Sequence, residues 1–225
     1  MELKDAINTR KTTRGFTDKP VPKEILEEIV KQALRAPSWG NTQPWEFVIA
    51  GGDVFTEIKQ AYLDKAEETP SPDLPFPQQF PEFIRERLPY ARRQQPPDNR
   101  DPKEVLKERQ VMGSRMYEAP AVIYILTDRE MYEQDGRSKD TYAIFDCGLI
   151  AQTIMLLAVE YGLGTVAAAQ SVRCPEVLRE KLEIPDSKVI VLGILIGYPD
   201  TENPQYKIYS DRVPLEDISR WYGFE

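Results

Sequence analysis

The sequence predicts a single domain of 225 residues with an α+β or α/β architecture, in which helices cover a β-sheet. Segments whose apolar residues recur at helical spacing alternate along the chain with short, apolar, β-branched runs. Two of these runs, residues 119–127 and 188–196, are apolar over most of their length, which is typical of buried strands. A chain of this length can bury a substantial core.

The first part of the chain is predicted to hold three helices and one strand. Residues 2–9 form a short helix, and a helix of about 14 residues follows Pro22 and ends before Pro37. Its apolar stripe consists of Ile25, Leu26, Ile29, Val30, Ala33 and Leu34. Residues 45–50 are expected to form a strand, and a Gly-Gly turn then leads to a helix with Asp53 as its N-cap.

Residues 69–102 differ in composition from the rest of the domain. Nine of the 19 prolines fall in this segment. Aromatic residues are interleaved with them, namely Phe76, Phe80, Phe83 and Tyr90. Disordered segments are poor in aromatic residues, so we expect a partly helical excursion that covers a pocket. The alternative is an insertion that packs on the surface or against a partner.

The remaining elements follow the excursion in regular order. They are a charged helix at 103–117, a strand at 119–127, a helix at 141–161, a strand at 165–169, a helix at 175–182 that starts with Pro175, a strand at 188–196, and a short helix before Trp221. The helix at 141–161 is apolar nearly all round, which places it in the core or in a subunit interface. Asp146, Gln152 and Glu160 interrupt it and leave a run too short for a membrane span of about 20 residues.

Net charge, the N-terminal sequence and cysteine content indicate which partners and which cell compartment to expect. A formal net charge of -8 argues against nucleic acid as the main partner. The N-terminus lacks a charged-then-apolar leader, so a cytoplasmic location is expected and no membrane partner. Cys147 and Cys174 have no CxxC spacing. We expect two buried free thiols, with one disulfide between them as the alternative.

The absence of histidine restricts the chemistry. It excludes Ser-His-Asp and Cys-His nucleophilic sites and the usual zinc sites that contain histidine, and we expect no metal site. Chemistry must come from carboxylates, Lys, Tyr, Ser and Thr, or from a bound cofactor that carries the redox step while the protein orients it.

Two polar segments stand out as candidate binding elements. Residues 10–16 (RKTTRGF) hold three cations and two hydroxyl groups, which suit either a phosphate clamp or a solvated basic turn. Residues 36–47 (APSWGNTQPWEF) hold amide side chains that could read the edge of a planar heterocycle. The alternative is an ordinary loop that enters a core strand. Pro44 is expected to bias Gln43 toward an extended backbone.

Together these segments make the chain resemble the FMN-dependent nitroreductase family over almost its whole length, apart from the Pro-rich segment. The matching motifs, in order, are the basic turn at 10–16, the loop at 36–47, GLGT at 162–165, the strand end GYP within 191–199, and RVPLE at 212–216. The loop sequence APSWGNTQPW is most similar to the nitrobenzoate-reductase-like branch.

The resemblance implies an α+β fold with a central, mostly antiparallel sheet flanked by helices, in an interlocked homodimer with FMN at the interface. The residues that would hold the FMN phosphate and ribityl chain are Arg10, Thr12, Arg14 and Arg212, with Lys11 beside them. The residues of the other subunit that would line the ring are Pro37, Ser38, Trp39 and Asn41, with Gln43 near the ribityl chain or the ring. Backbone amides at Ala168, Ala169 and Gln170 would face the flavin N5 edge, and Arg115 would contact the ribityl chain or pyrimidine edge.

The implied activity is ping-pong electron transfer from NADH or NADPH through FMN to a nitroaromatic, quinone or similar electron-poor small molecule. No catalytic side chain is implied. Two features depart from the family pattern: Ser210 stands where many members have a lysine, and the acidic residue near N5 is missing. Two alternatives stay open. One is a reductive dehalogenase or flavin-cleaving enzyme of the same superfamily, in which residues 69–102 would form a lid over the flavin. The other, which the two departures support, is a non-catalytic flavin-binding protein.

Overall fold

The computed structural model describes residues 1–91, 100–134, 138–139, 141–207 and 209–224. Residues 92–99 of the Pro-rich segment, with Pro96 and Pro97, lie outside the described residues. The helices are α1 (Leu3–Thr9), α2 (Lys23–Ala33), α3 (Gly52–Asp64), α4 (Glu82–Arg85), α5 (Pro102–Ser114), α6 (Arg129–Tyr132), α7 (Thr141–Glu160), α8 (Pro175–Leu182) and α9 (Leu215–Ile218). The strands are β1 (Trp45–Gly51), β2 (Ala121–Asp128), β3 (Glu133–Gln134), β4 (Ser138–Lys139), β5 (Gly164–Ala168) and β6 (Lys188–Gly197).

The main sheet has the order β1-β2-β6-β5, and every neighbouring pair in it is antiparallel. This confirms the predicted α+β architecture and decides against α/β, because an α/β fold requires parallel strands joined by crossover helices. The register links Trp45 to Thr127 at one end of the sheet, and Ala121 to Ile196 and Ile196 to Thr165 at the other.

Side chains on the two faces of the sheet enter two separate apolar clusters. On β2, Val122, Tyr124 and Leu126 pack with α3 and α8, whereas Ala121, Ile123 and Ile125 pack with α2 and α7. Successive residues of a strand point to opposite faces, so a strand that is apolar throughout must be covered on both sides. The sheet is therefore the middle layer between two helical layers.

The long helix α7 buries only one side of its surface in this chain. The buried residues recur at helical spacing and are Ala143, Asp146, Cys147, Ile150, Ala151, Ile154 and Ala158. On the other side, Tyr142 and Phe145 are 56% and 61% exposed. Among the described residues α7 is the one helix long and apolar enough to cross a membrane by length and composition. Its buried side packs in the core, and its outer side at Tyr142 and Phe145 is apolar and largely exposed in a single chain.

Several predicted boundaries differ from the observed ones. Asp53 is not an N-cap, because α3 already begins at Gly52, whose φ of +59° suits glycine, with Gly51 as the cap. Helix α2 ends at Ala33, three residues earlier than expected from Pro37. Helix α5 ends at Ser114 and does not continue to residue 117.

A left-handed turn follows α5 and was not predicted. Met116, Tyr117 and Glu118 have φ values of +51°, +52° and +61°. Such backbone costs roughly 1–2 kcal/mol per L-residue. Met116 is fully buried and its carbonyl accepts a bond from Ala119 N–H at 3.0 Å, so packing stabilises a turn that local sequence disfavours.

Candidate functional site

The basic turn at 10–16 lies against the start of β5. Thr12 forms a bridge with Thr165, and the Thr13 N–H donates to the Thr165 carbonyl at 2.9 Å. Thr13 is buried, and a Cβ added at Gly164 would lie 2.8 Å from the Thr13 Cβ. The GLGT motif therefore has a structural reason: the basic turn requires a glycine at Gly164 to approach the strand.

Two arginines from distant parts of the sequence lie close enough at this turn for their charges to interact. Burial lowers the pKa of Arg10, and the nearby positive charge of Arg212 lowers it further. The Arg212 guanidinium donates to the carbonyls of Ser210 at 2.7 Å and Asp211 at 3.1 Å. Arg14, four residues after Arg10, is exposed. Like charges held close together attract an anion, so this arrangement suits a phosphate group.

Lys11 has a different environment from the two arginines. Its ammonium group lies 3.4 Å from the Tyr206 ring centroid and 4.2 Å from the Tyr209 ring centroid, and it donates to the Tyr206 carbonyl. These are cation–π contacts. Lys11 therefore ties the basic turn to the C-terminal segment that carries Arg212.

The loop that contains residues 37–43 is closed by its own hydrogen bonds. The Gln43 N–H donates to Ser38 Oγ at 3.0 Å, and Gln43 Nε2 donates to the Asn41 carbonyl at 3.3 Å. Gly40, Asn41 and Gln43 have φ values of +55°, +57° and +48°. The expectation of an extended Gln43 was wrong, because these bonds outweigh the local preference imposed by Pro44. Pro37 and Trp39 are exposed, the latter by 64%.

The chain turns sharply where β5 ends, at Ala168, Ala169 and Gln170. Ser171 Oγ donates to the Ala168 carbonyl at 2.6 Å, and the Tyr62 hydroxyl donates to the Ser171 carbonyl at 2.8 Å. Tyr62 and Ser171 are fully buried. Burial raises the pKa of Tyr62, which keeps its hydroxyl a donor. Hydrogen bonds on its buried side thus fix the turn, while Ala169 remains exposed on its outer side.

Arg115 lies just after the end of α5, where its charge interacts with Glu118 and Lys59. It forms an ion pair with Glu118. Burial lowers the pKa of Lys59 on α3, Glu118 partly opposes this shift, and the charge of Arg115 adds to it. Its predicted flavin contact stays a prediction.

The Pro-rich excursion is anchored to the domain at both ends of its described part. Asp73 accepts from Arg179 at 2.9 Å and from the Ile190 N–H at 2.8 Å, and lies 3.5 Å from Arg129. At the other end, the Asp211 N–H donates to the Tyr90 carbonyl at 3.0 Å. Between these anchors lie α4 and a short helical turn at Leu88–Ala91. The excursion therefore reaches from α8 to the segment that carries Arg212.

Within one chain, the basic turn and the 37–43 loop lie at opposite corners of the sheet. Trp45 and Thr165 belong to opposite edge strands, three strand spacings or about 14 Å apart. Along the strands, Trp45 is level with Thr127 of β2, and Thr165 is level with Ala121 of β2. These two levels are six residues apart, or about 20 Å. Helix α7 runs from one region toward the other: Asp146 contacts the loop, and Glu160, about 21 Å further along the helix, is five residues before Thr165, which binds the basic turn. The core lies between the two polar segments, so they cannot enclose one small ligand in a single chain.

Sequence reasoning missed the residues that hold these segments in place. They are Asp146, Tyr62, Ser171, Tyr206 and Tyr209. Only Asp146 gave a signal, as a carboxylate inside an apolar helix. The tyrosines and Ser171 are ordinary in sequence, and their roles depend on contacts between distant parts of the chain.

The fold and these segments define a class of protein: an α+β domain with a cationic turn at one corner of its sheet and an amide-bearing loop at the opposite corner. The chain belongs to the nitroreductase family, whose model matches residues 7–198. This confirms the resemblance drawn from the motifs.

Individual relatives agree with the family match. The chain is 30% identical to a nitrobenzene nitroreductase of Ectopseudomonas oleovorans, over 96% of this chain and 95% of that one. It is 29% identical to a 4-nitrobenzoate reductase of Nocardioides sp. (strain LMS-CY), over 100% of this chain and 90% of that one. In fold, it is similar to an FMN and NADPH-dependent nitroreductase, NfnB, from Sphigopyxis sp. strain HMH. That match has a TM-score of 0.87, 24% identity and full coverage of both chains.

Proposed function

We propose that the protein is an FMN-dependent oxidoreductase that passes electrons from NADH or NADPH to a nitroaromatic, quinone or similar electron-poor acceptor in a ping-pong cycle. The observation that carries the proposal is the pair Arg10 and Arg212, two like charges brought together beside a turn rich in hydroxyl groups. The names of the relatives from Ectopseudomonas and Nocardioides, a nitrobenzene and a nitrobenzoate reductase, support the acceptor class.

The residues present fit an FMN phosphate. Arg10, Arg14 and Arg212 supply the positive charge, and the hydroxyl group of Thr12 supplies a further donor. Lys11 acts indirectly, through the tyrosines of the C-terminal segment. Arg115 is retained as a candidate contact with the ribityl chain or pyrimidine edge.

FMN, when bound, supplies the redox chemistry, and the protein needs no nucleophile. The chain's own contribution is orientation. The turn at Ala168, Ala169 and Gln170 would direct backbone N–H groups toward the ring, and Tyr62 and Ser171 hold that turn in shape. Donors fixed in advance stabilise developing negative charge without reorganisation.

We propose further that the working form is a homodimer in which each FMN site combines two chains. One copy supplies the basic turn and Arg212. The 37–43 loop of the second copy supplies Pro37, Ser38, Trp39, Asn41 and Gln43 to the ring. The separation of these segments in one chain supports this arrangement, as does the uncovered apolar side of α7. The C-terminal residues Leu215, Ile218, Trp221, Tyr222 and Phe224 are also exposed, which suits an arm that packs on a partner.

A cytoplasmic location is part of the proposal. Cys147 and Cys174 are both buried free thiols, as expected of a chain in a reducing compartment.

The test is a visible spectrum of the purified protein under anaerobic conditions, before and after NADH or NADPH, with nitrobenzoate added last. Flavin absorption that is bleached by a nucleotide and restored by nitrobenzoate is the expected result. Absorption that no nucleotide bleaches would indicate a non-catalytic flavin protein. Restoration by an iodinated phenol and not by nitrobenzoate would indicate a dehalogenase, and loss of FMN under air a flavin-cleaving enzyme. A protein that binds no FMN, even after addition, would contradict the whole proposal.

A further inference from the structure

A buried carboxylate lies on the apolar side of α7. Asp146 is 2% exposed, and its neighbours on the same side of the helix are Cys147, Ile150 and Ala143. Burying a carboxylate costs free energy unless hydrogen bonds compensate it. An apolar residue would pack in this position, so the carboxylate requires a reason other than packing.

The bond that Asp146 accepts comes from the candidate ring-binding loop. The Trp39 N–H donates to Asp146 Oδ2 at 3.0 Å. One helical turn earlier on α7, the Tyr142 ring lies 6.1 Å from the Trp39 ring, centroid to centroid. The loop's other side-chain bonds, between Ser38, Asn41 and Gln43, are internal to it. Asp146 therefore gives the loop a polar attachment to the core.

This attachment fixes a loop whose backbone is unfavourable by itself. Gly40, Asn41 and Gln43 lie in the left-handed region, which residues other than glycine rarely adopt. A charged acceptor gives a stronger hydrogen bond than a neutral one, so a carboxylate suits a loop that must be held in one conformation. The peptide N–H of Trp39 is at the start of the 39–41 turn, so the bond to Asp146 holds the residue from which the turn begins.

We propose that Asp146 is a positioning residue that holds the 37–43 loop in its flavin-binding conformation and thereby raises FMN affinity. The inference rests on the proposed function. It assigns to Asp146 no contact with FMN. Its effect is preorganisation: a loop already in its bound shape loses less conformational freedom when a ligand binds.

The test compares variants by FMN affinity and by amide hydrogen exchange of the apo protein. Asp146→Leu replaces the hydrogen-bond acceptor by an apolar side chain of similar size, whereas Asp146→Asn keeps an acceptor oxygen. The matched control is Glu160→Gln, at the other end of α7, where Glu160 pairs with the N-terminal amine. FMN binding is followed by quenching of flavin fluorescence, and exchange is followed in the peptide that contains Trp39.

For Asp146→Leu we expect faster exchange at Trp39 and FMN binding weakened by roughly tenfold to a hundredfold. The apo protein should unfold at the wild-type temperature or above, because a buried charge has been removed. Asp146→Asn should recover most of the affinity, to within about fivefold of wild type, since a neutral acceptor keeps a weaker bond. Glu160→Gln should match wild type in both measurements.

Two results would overturn the inference while the wild type still binds FMN. One is wild-type FMN affinity in Asp146→Leu despite faster exchange at Trp39. The other is an affinity loss in both Asp146 variants that follows a fall in unfolding temperature, which would make Asp146 a purely structural residue. If Asp146→Leu does not fold, Asp146→Ala and Asp146→Asn give the same comparison. A wild-type protein that binds no FMN would instead overturn the proposed function, and the inference with it.

Discussion

At the scale of single residues, Lys11 shows how a motif position can change its role. It belongs to the basic turn, yet its ammonium group contacts Tyr206 and Tyr209 and so connects the turn to the segment of Arg212. The sequence could indicate that three cations are close together. It could not show which of them face a ligand, because that depends on residues about 200 positions away in the chain.

We predict that Lys11→Met weakens FMN binding moderately, by roughly threefold to tenfold, through loss of cation–π contacts. Arg10→Met should weaken it by roughly a hundredfold, because a charge-assisted contact to phosphate is lost. Fluorescence titration measures both affinities. Hydrogen exchange should show a looser 204–212 segment in Lys11→Met alone. If Lys11→Met weakened FMN binding as much as Arg10→Met without loosening this segment, Lys11 would be a direct phosphate ligand.

Cys147 supports a prediction about pH. Burial, with a smaller contribution from Asp146, raises the pKa of Cys147 to about 12. The folded state therefore keeps the thiol neutral, while the unfolded chain ionises it near pH 8.5. The stabilising contribution is full below that pH and is lost as pH rises toward 12.

Denaturant unfolding between pH 8 and 11 should therefore show a smaller loss of stability in Cys147→Ala than in wild type. The slopes should differ by up to about 1.4 kcal/mol per pH unit. Cys147→Ala will be less stable at neutral pH, because it leaves a cavity, but only the slope tests the pKa. Parallel slopes would mean that the thiol ionises equally in both states.

At the scale of elements, the strands were more predictable than the turns. Residues 119–127 and 188–196 were identified because a strand buried on both faces must be apolar throughout. The left-handed turn at Met116–Glu118 and the positive φ of Gln43 were missed, since local preferences oppose both and distant contacts stabilise them. The loop at 36–47 could be selected as a candidate site from its residue types, but its shape could not.

The Pro-rich excursion supports a prediction that distinguishes the role of its exposed aromatic residues from the role of its anchor, Asp73. Phe80 and Phe83 are 46% and 55% exposed, and the Phe83 ring lies 5.3 Å from the Arg87 guanidinium. If these aromatics select the acceptor, Phe80→Ala and Phe83→Ala should each lower kcat/KM for nitrobenzoate by roughly threefold to tenfold and leave FMN affinity unchanged. Steady-state kinetics and fluorescence titration give the two numbers.

The control for the phenylalanine variants is a substitution of Asp73, which anchors the excursion to the domain. Asp73→Ala removes a partly buried carboxylate that accepts from both Arg179 and the Ile190 N–H, and should lower the free energy of unfolding by about 2 kcal/mol. Acceptor specificity that changed only in Asp73→Ala, and in neither phenylalanine variant, would mean that the excursion acts on the fold and not on the substrate.

At the scale of the whole molecule, two segments that are close in the sequence lie far apart in the structure. The basic turn and the 37–43 loop are about 25 residues apart in sequence and were both identified as candidate binding segments. Their placement at opposite corners of the sheet depends on strand order and register, which no local pattern encodes. Resemblance to a family suggested that the segments act in different subunits, and the geometry supplies a physical reason for that proposal.

Complementation between two inactive variants tests this arrangement. One variant, Arg10→Met with Arg212→Met, lacks the proposed phosphate clamp, and the other, Trp39→Ala with Asn41→Ala, lacks the side chains proposed to face the ring. If the protein is the proposed homodimer, each variant alone has two defective sites. After subunit exchange of an equimolar mixture, half of the dimers should contain one chain of each variant. In such a mixed dimer, one site carries all four substitutions and the other site carries none. Roughly a quarter of all sites should then be active, measured as NADPH oxidation with nitrobenzoate. A site built within one chain would give no activity beyond that of the separate variants, because every chain in the mixture carries a defect.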